Sequence, residues 1–241
     1  SRMTAVAGTR NDMNLLEFEN TSALDAELVS KVVDLLTMAI DQHGYASLVV
    51  SGGRTPKGFF HLLSQEFLDW SKVTVTLADE RWVDADHKDS NEKLVQENLL
   101  INEAHGARFV ALKNSASSAL SGEESIGQDL STIGRFTVVI LGMGDDGHTA
   151  SLFPGSETLS AGLDKESGRH CLAVQPLDAP HERMSMTLPR LLDSEQIIVH
   201  VCGENKGKVL AMADAGEDPF ELPIRAVLQQ STTPVVVYWA K

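Results

Sequence analysis

The chain has 241 residues, enough for one α/β domain or for one carrying a small added lobe. Its 20 basic and 34 acidic residues give a net charge of −14, a field that opposes nucleic acid and anionic membrane surfaces and leaves small anions to a local basic cluster. A hydrophobic content of 42% with 22% charged residues suits a water-soluble globular chain, and no apolar run approaches the ~20 residues of a membrane span.

Residues 1–13 lack the apolar core of a secretory signal and are expected to form a flexible N-terminal segment, with Ser1-Arg2 ahead of Met3 set aside as an expression remnant. Residues 14–241 are expected to form a single α/β domain. Leu24, Leu28, Val32, Leu35, Leu36 and Ala39 recur at helical spacing and predict an amphipathic helix over 22–40, with Ser22 and Asp25 as its capping pair. Four apolar strands follow, each running into a polar or glycine-rich turn: 48–50 into 51–56, 73–77 into 78–81, 137–141 into 142–154, and 197–202 into 203–208. A closing strand is predicted at 235–239. Helical stretches are expected over 56–68, 90–103, 123–133 and 204–214, and the Ser/Ala-rich run 114–125 as a loop. This alternation predicts an open, mostly parallel sheet covered by helices, Rossmann-like in plan. In such sheets ligands lie beyond the carboxyl ends of the strands, so the four turns should converge on one edge. Cys171 and Cys202 have no metal-ligand spacing and are expected to be buried, structural thiols in a reduced cytoplasm.

The turns carry the chemistry. Gly52-Gly53-Arg54-Thr55-Pro56 has the composition of an anion site: glycines allow close backbone approach, Thr55 is placed to cap a helix, Pro56 suits its first position, and Arg54 adds charge. The competing reading is a tight strand-to-helix turn with no ligand. In Asp79-Glu80-Arg81 the arginine would hold an anionic oxygen and an acid would orient it; the alternative is a surface ion pair, and the shared sheet edge favours the first. Gly142, Gly144 and Gly147 mimic a dinucleotide fingerprint, yet Asp145 and Asp146 put carboxylates where a pyrophosphate would sit. His148 then follows a glycine turn beside Asp146, the composition of a general base with a positioning acid. Arg183, Lys206 and Lys208 are further basic candidates, with Lys206 preferred for its glycine-flanked turn. No serine-hydrolase elbow, zinc-protease motif or Walker A sequence is present, since His181-Glu182 has no second histidine at the needed spacing and Gly207-Lys208 lacks its flanking residues.

Three of these segments, 51–56, 78–81 and 142–154, resemble the signatures of the 6-phosphogluconolactonase family, and 182–189 and 203–210 are similar to it as well. The resemblance spans about residues 15–240. The related glucosamine-6-phosphate deaminases share the D-G-H core but continue differently from His148-Thr149-Ala150-Ser151-Leu152-Phe153-Pro154. The resemblance implies a fold like that of those deaminases and of ribose-5-phosphate isomerase. It implies hydrolysis of 6-phospho-D-glucono-1,5-lactone to 6-phosphogluconate in the oxidative pentose phosphate pathway, with no metal and no cofactor. His148 would be the catalytic base, supported by Asp79 and Arg81. Gly52, Gly53, Arg54, Thr55, Arg183 and Lys206 would surround the phosphate and hydroxyls. The expected partner is a small sugar-phosphate lactone, with no nucleic acid or membrane, and the protein is expected to be a cytoplasmic monomer or weak homodimer. An aldose–ketose isomerase or amino-sugar deaminase on the same fold, and a sugar-phosphate-binding regulator, are the alternatives; the first would need a second base placed at C2.

Overall fold

The structure is a computed structural model that describes residues 13–241, so the segment expected to be flexible lies outside the described residues except for Met13, which packs against the core. In chain order the elements are β1 (Leu15–Phe18), α1 (Thr21–His43), β2 (Ala46–Val50), α2 (Pro56–Ser64), β3 (Val73–Leu77), β4 (Asp79–Arg81), α3 (Asn91–Asn98), β5 (Arg108–Phe109), α4 (Ala119–Ser131) and β6 (Phe136–Leu141). They continue with α5 (Leu159–Leu163), β7 (Cys171–Val174), β8 (Arg183–Met186), α6 (Leu188–Leu192), β9 (Ser194–Cys202), α7 (Glu204–Asp214), α8 (Arg225–Leu228) and β10 (Val235–Ala240).

Seven strands form one parallel sheet in the order β1-β10-β9-β6-β2-β3-β5. The continuous apolar runs of β2 and β6 are buried at every position, as strands covered on both faces must be. From β2 the chain winds outward through β3 and β5, then returns to place β6 on the other side of β2. That reversal opens a crevice between the ends of β2 and β6, where a parallel sheet binds its ligand. Side chains stitch this junction: Ser47 and Thr137 exchange backbone-to-hydroxyl hydrogen bonds at one end, and Ser51 Oγ donates to the Ile140 carbonyl at the other, at 2.9 Å.

Several local expectations need correcting. Helix α1 is capped by Asn20, whose side chain accepts from the Ala23 N–H, rather than by Ser22 and Asp25. Asp25 instead lies on the buried stripe with Leu24, Leu28 and Val32, and faces His200 at 3.6 Å. The run 114–125 is not all loop: Ser118 and Ser121 form a reciprocal capping box that starts α4 at Ala119. Helices α2 and α3 end earlier than predicted, at Ser64 and Asn98. A second, antiparallel sheet of order β4-β8-β7 was not foreseen, and Asp79-Glu80-Arg81 is itself a strand in it rather than a turn. Strand β1, parallel to β10 at the edge of the large sheet, was also missed. Cys171 is buried as expected, but Cys202 is only half-buried; neither forms a disulfide, and burial pushes their thiols up to about 12 and about 11. Among the described residues no helix is long and apolar enough to cross a membrane.

Candidate active site

The crevice at the β2/β6 junction is a cleft of about 230 Å³, sized for a small molecule. Its lining brings together all nine residues singled out from the sequence: Gly52, Gly53, Arg54 and Thr55; Asp79 and Arg81; His148; Arg183; and Lys206. Lys208 is not part of the lining.

The loop after β2 is shaped by what its glycines lack. Gly53 has φ +93, a backbone that side chains rarely adopt. A Cβ on Gly52 would sit 2.0 Å from Asn91 Oδ1, so the loop is pressed against the start of α3. Asn91 holds that position by donating to the Asp79 carbonyl at 3.0 Å. Thr55 stands at the N-terminus of α2 in helical conformation and makes no side-chain cap, contrary to the capping role expected of it, while Pro56 occupies the first turn as anticipated. The uncapped end of α2 with Arg54 beside it favours an anion.

The turn after β6 is built around His148. Gly147 takes φ +81, and its N–H returns to the Gly144 carbonyl at 3.0 Å. A Cβ on Gly144 would lie 2.2 Å from the imidazole, so only glycine lets the ring fold down onto the backbone. Asp146 Oδ1 lies 2.6 Å from His148 Nδ1 and also accepts the His148 backbone N–H at 3.0 Å. A carboxylate at that distance places the proton on Nδ1 and leaves the Nε2 lone pair for chemistry. Burial alone would raise the Asp146 carboxyl, but the two hydrogen bonds from His148 and the imidazole charge bring it below its ordinary value. Phe153 packs on the ring with centroids 4.5 Å apart, and the Arg183 guanidinium lies over the same phenyl group at 5.5 Å. Phe153 thus fixes base and cation relative to each other.

The small sheet delivers the remaining groups. In the β4/β8 ladder Arg81 is paired with Arg183 and Asp79 with Ser185. Arg81 Nη1 donates to the Asp89 carbonyl at 2.9 Å. Asp79 is buried and its Oδ2 accepts from Ser151 Oγ at 2.6 Å, which ties β4 to the segment after His148. Arg183 is 6% exposed, and its Nε is buried without a hydrogen-bond partner. Burial and the neighbouring Arg81 charge push its guanidinium down from the ordinary arginine value, opposed by Asp79, Asp89 and Glu80. A buried cation with an unused donor beside a cleft is prepared for an anion. Lys206 is partly committed: its Nζ lies 2.9 Å from Asp145 Oδ1, and hydrogen bonds from Lys206 and Asn205 hold that carboxyl below its usual range.

Glu80 points away from the cleft chemistry and acts as scaffold. Its carboxylate accepts the backbone N–H groups of Arg81, Asn91 and Glu92, joining β4 to the start of α3. Burial raises it from 4.5 to about 7, against the pull of those three donors. A folded-state value above the unfolded one means that the folded protein binds the extra proton, so stability falls as pH rises between about 4.5 and about 7. In urea unfolding followed over that window, the wild type should lose stability relative to Glu80→Gln as pH rises; a parallel course for the two would refute the linkage. Glu80→Ala strands three backbone donors and is expected to cost about 3 kcal/mol.

Two cleft-lining residues, Asn91 and His200, have no signal in the sequence; Ser151 and Phe153 lie in the 142–154 signature, but their contacts with Asp79 and His148 do not follow from it. His200 lines the cleft floor, and its buried Nε2 and Asp25 Oδ1 each lack a hydrogen-bond partner. The segment 155–168 contributes nothing to the cleft lining and carries the short α5.

Comparison with known proteins places this geometry. The family model described as "Glucosamine-6-phosphate isomerases/6-phosphogluconolactonase" matches residues 19–239. A curated relative from Rhizobium meliloti (strain 1021), named 6-phosphogluconolactonase, is 44% identical over 228 residues, with 94% of this chain and 98% of that protein covered. The crystal structure of a 6-phosphogluconolactonase from Shewanella baltica OS155 superposes with a TM-score of 0.93 at 46% identity, covering 95% of this chain and 98% of that one. A monomeric glucosamine-6-phosphate deaminase superposes with a TM-score of 0.77 at 18% identity, covering 93% of this chain and 97% of that one, a likeness of fold.

Proposed function

Because this chain belongs to the glucosamine-6-phosphate isomerase/6-phosphogluconolactonase family, we propose that it hydrolyses 6-phospho-D-glucono-1,5-lactone to 6-phosphogluconate with His148 as the general base. The observation that carries the reading is the Asp146–His148 pair at 2.6 Å facing a cleft that also holds Arg54, Arg81, Arg183 and Lys206. A net charge of −14 would otherwise repel a phosphorylated substrate, and these four cations offset it locally.

The proposed route runs as follows. The phosphate seats on the 52–55 loop at the start of α2, with Arg183 and Lys206 completing its shell. Nε2 of His148 takes a proton from water, and the resulting hydroxide attacks C1 of the lactone. Asp146 stabilises the imidazolium that forms. The carbonyl oxygen gains negative charge in the tetrahedral intermediate and is received by Arg81, which the Asp89 carbonyl keeps in place, while Asp79, held by Ser151, supports the strand that carries it. As the C1–ring-oxygen bond breaks, the imidazolium returns its proton to that oxygen and the open acid leaves. No step requires a metal ion, since arginine supplies the positive charge. The oxidative pentose phosphate pathway is the setting in which this lactone arises, and a cytoplasmic monomer or weak homodimer is the expected form.

Relatives of the fold include a deaminase, so the test must separate two reactions. The lactone generated in situ should disappear well above its spontaneous rate in the presence of EDTA. Ammonia release from glucosamine 6-phosphate without lactone hydrolysis would overturn the reading and move the chemistry to proton abstraction at C2.

A further inference from the structure

Beside the cleft, on the rim that the proposed reaction does not use, three metal-ligating side chains converge from two separate segments. His87 and Asp89 lie on the loop between β4 and α3, and His181 precedes β8. Their ligand atoms all fall within 4.8 Å of one another. His181 Nε2 is 3.0 Å from Asp89 Oδ2, and His87 Nδ1 is 4.0 Å from the same oxygen. The two imidazoles meet edge to face with centroids 5.3 Å apart. We propose that His87, Asp89 and His181 form a binding site for one divalent transition-metal ion of the zinc class, separate from the catalytic base.

The donor set selects the ion. Two imidazole nitrogens and one carboxylate suit zinc, cobalt or nickel, whereas calcium and magnesium require shells of oxygen. With bonds of about 2.0–2.1 Å, tetrahedral ligand atoms stand about 3.3 Å apart. The Asp89–His181 pair is already near that separation. To reach that separation from Asp89, His87 must approach it by less than about 1 Å, and its side chain is 37% exposed. Its Nδ1 now accepts the Asp89 N–H at 2.9 Å, so the lone pair is on the required nitrogen and the ion replaces one backbone hydrogen bond. Three protein ligands leave a fourth position for water, as in open zinc sites.

The backbone at His181 is an independent sign. It stands at φ +72, one of three non-glycine residues with positive φ among the described residues. Such a conformation persists only where the surroundings over-determine it, and the residue that adopts it here is the one whose imidazole meets Asp89. The exposed acids Asp84 and Asp86 on the same loop offset the ion's charge, while Lys88 opposes it. Bound there, the ion would fasten the 84–90 loop to the entrance of β8. It would thereby set the Asp89 carbonyl that holds Arg81 and the position of Arg183 two residues beyond His181. Sequence spacing concealed the site because its ligands are split between the two segments.

The experiment uses the full chain, stripped with EDTA, exchanged into chelator-free buffer, and titrated with zinc by calorimetry and with cobalt by visible absorption. One ion per chain is expected in the wild type and in His148→Ala, with zinc raising the melting temperature of both. His87→Ala and His181→Ala, checked for an unchanged fold by circular dichroism, should each weaken binding at least a hundredfold and abolish the cobalt bands. Absence of saturable one-equivalent uptake by the wild type would overturn the proposal, and so would uptake unaltered in both variants or lost in His148→Ala. If His181→Ala fails to fold, His87→Ala and the wild-type cobalt spectrum decide the same question.

Discussion

His148→Ala should lower kcat for lactone hydrolysis by about 10²–10⁴-fold while leaving KM within a few-fold of wild type. The substitution removes the only nitrogen base that the Gly144 turn presents to the cleft, and it touches none of the cations assigned to the phosphate. The ring is partly exposed and, among the described residues, its aromatic contact is with Phe153, so the loss should fall on chemistry rather than on folding. Asp146→Asn tests the same machinery from behind. It keeps an oxygen near Nδ1 but withdraws the charge that stabilises the imidazolium, and an intermediate loss of about 10–10²-fold is expected. Steady-state rates corrected for spontaneous hydrolysis, with the melting temperature as control, decide the matter. Near-normal turnover in His148→Ala would remove this residue from the mechanism and transfer the search for a base to His200 on the cleft floor.

The order in which the residues became legible has a physical basis. Strand-end motifs could be placed from sequence because long apolar strands announce themselves by continuous burial, and β2, β3, β6 and β9 lie within a few residues of where the pattern puts them. Once those strands are parallel, their following turns must share one edge, which groups eight of the nine dispersed residues; Arg183 lies outside those turns and joins them only through the family resemblance. The small sheet was invisible for the opposite reason. Its strands are three or four residues long, and Asp79 pairs with Ser185 from the far end of the chain, so no local periodicity marks them. Asp25 was misread because an acid near a helix start is usually a cap; its place on the stripe with Leu28 and Val32 was the contrary signal. Asn91 was out of reach because its role depends on a Cβ that Gly52 does not have. The Ser118 capping box was obscured by a composition that equally suits a loop, since serine favours both caps and turns.

Arg183→Met should raise KM for the phosphorylated lactone by about 10²-fold, with a smaller fall in kcat. Methionine nearly preserves the volume packed against Phe153 but removes the charge and every donor. Losing a charge-assisted contact to phosphate from a buried arginine is worth about 2–5 kcal/mol, and about 2.7 kcal/mol corresponds to the stated hundredfold. A secondary effect on kcat follows from the shared contact, because Phe153 lies against both Arg183 and His148. Arg183→Lys should recover little: an ammonium cannot place two parallel donors on one phosphate or lie flat over the phenyl ring. The substitution also removes the buried positive charge that neighbouring Asp79, Asp89 and Glu80 favour, so a modest loss of stability should accompany it. The discriminating comparison is with Lys206→Met. Lys206 already spends its charge on exposed Asp145, so its removal should raise KM less. If Lys206→Met proved the more damaging of the two, or if Arg183→Met left KM unchanged, the phosphate would be held by the 52–55 loop and Lys206 without Arg183. The buried arginine would then serve the sugar hydroxyls or the scaffold instead.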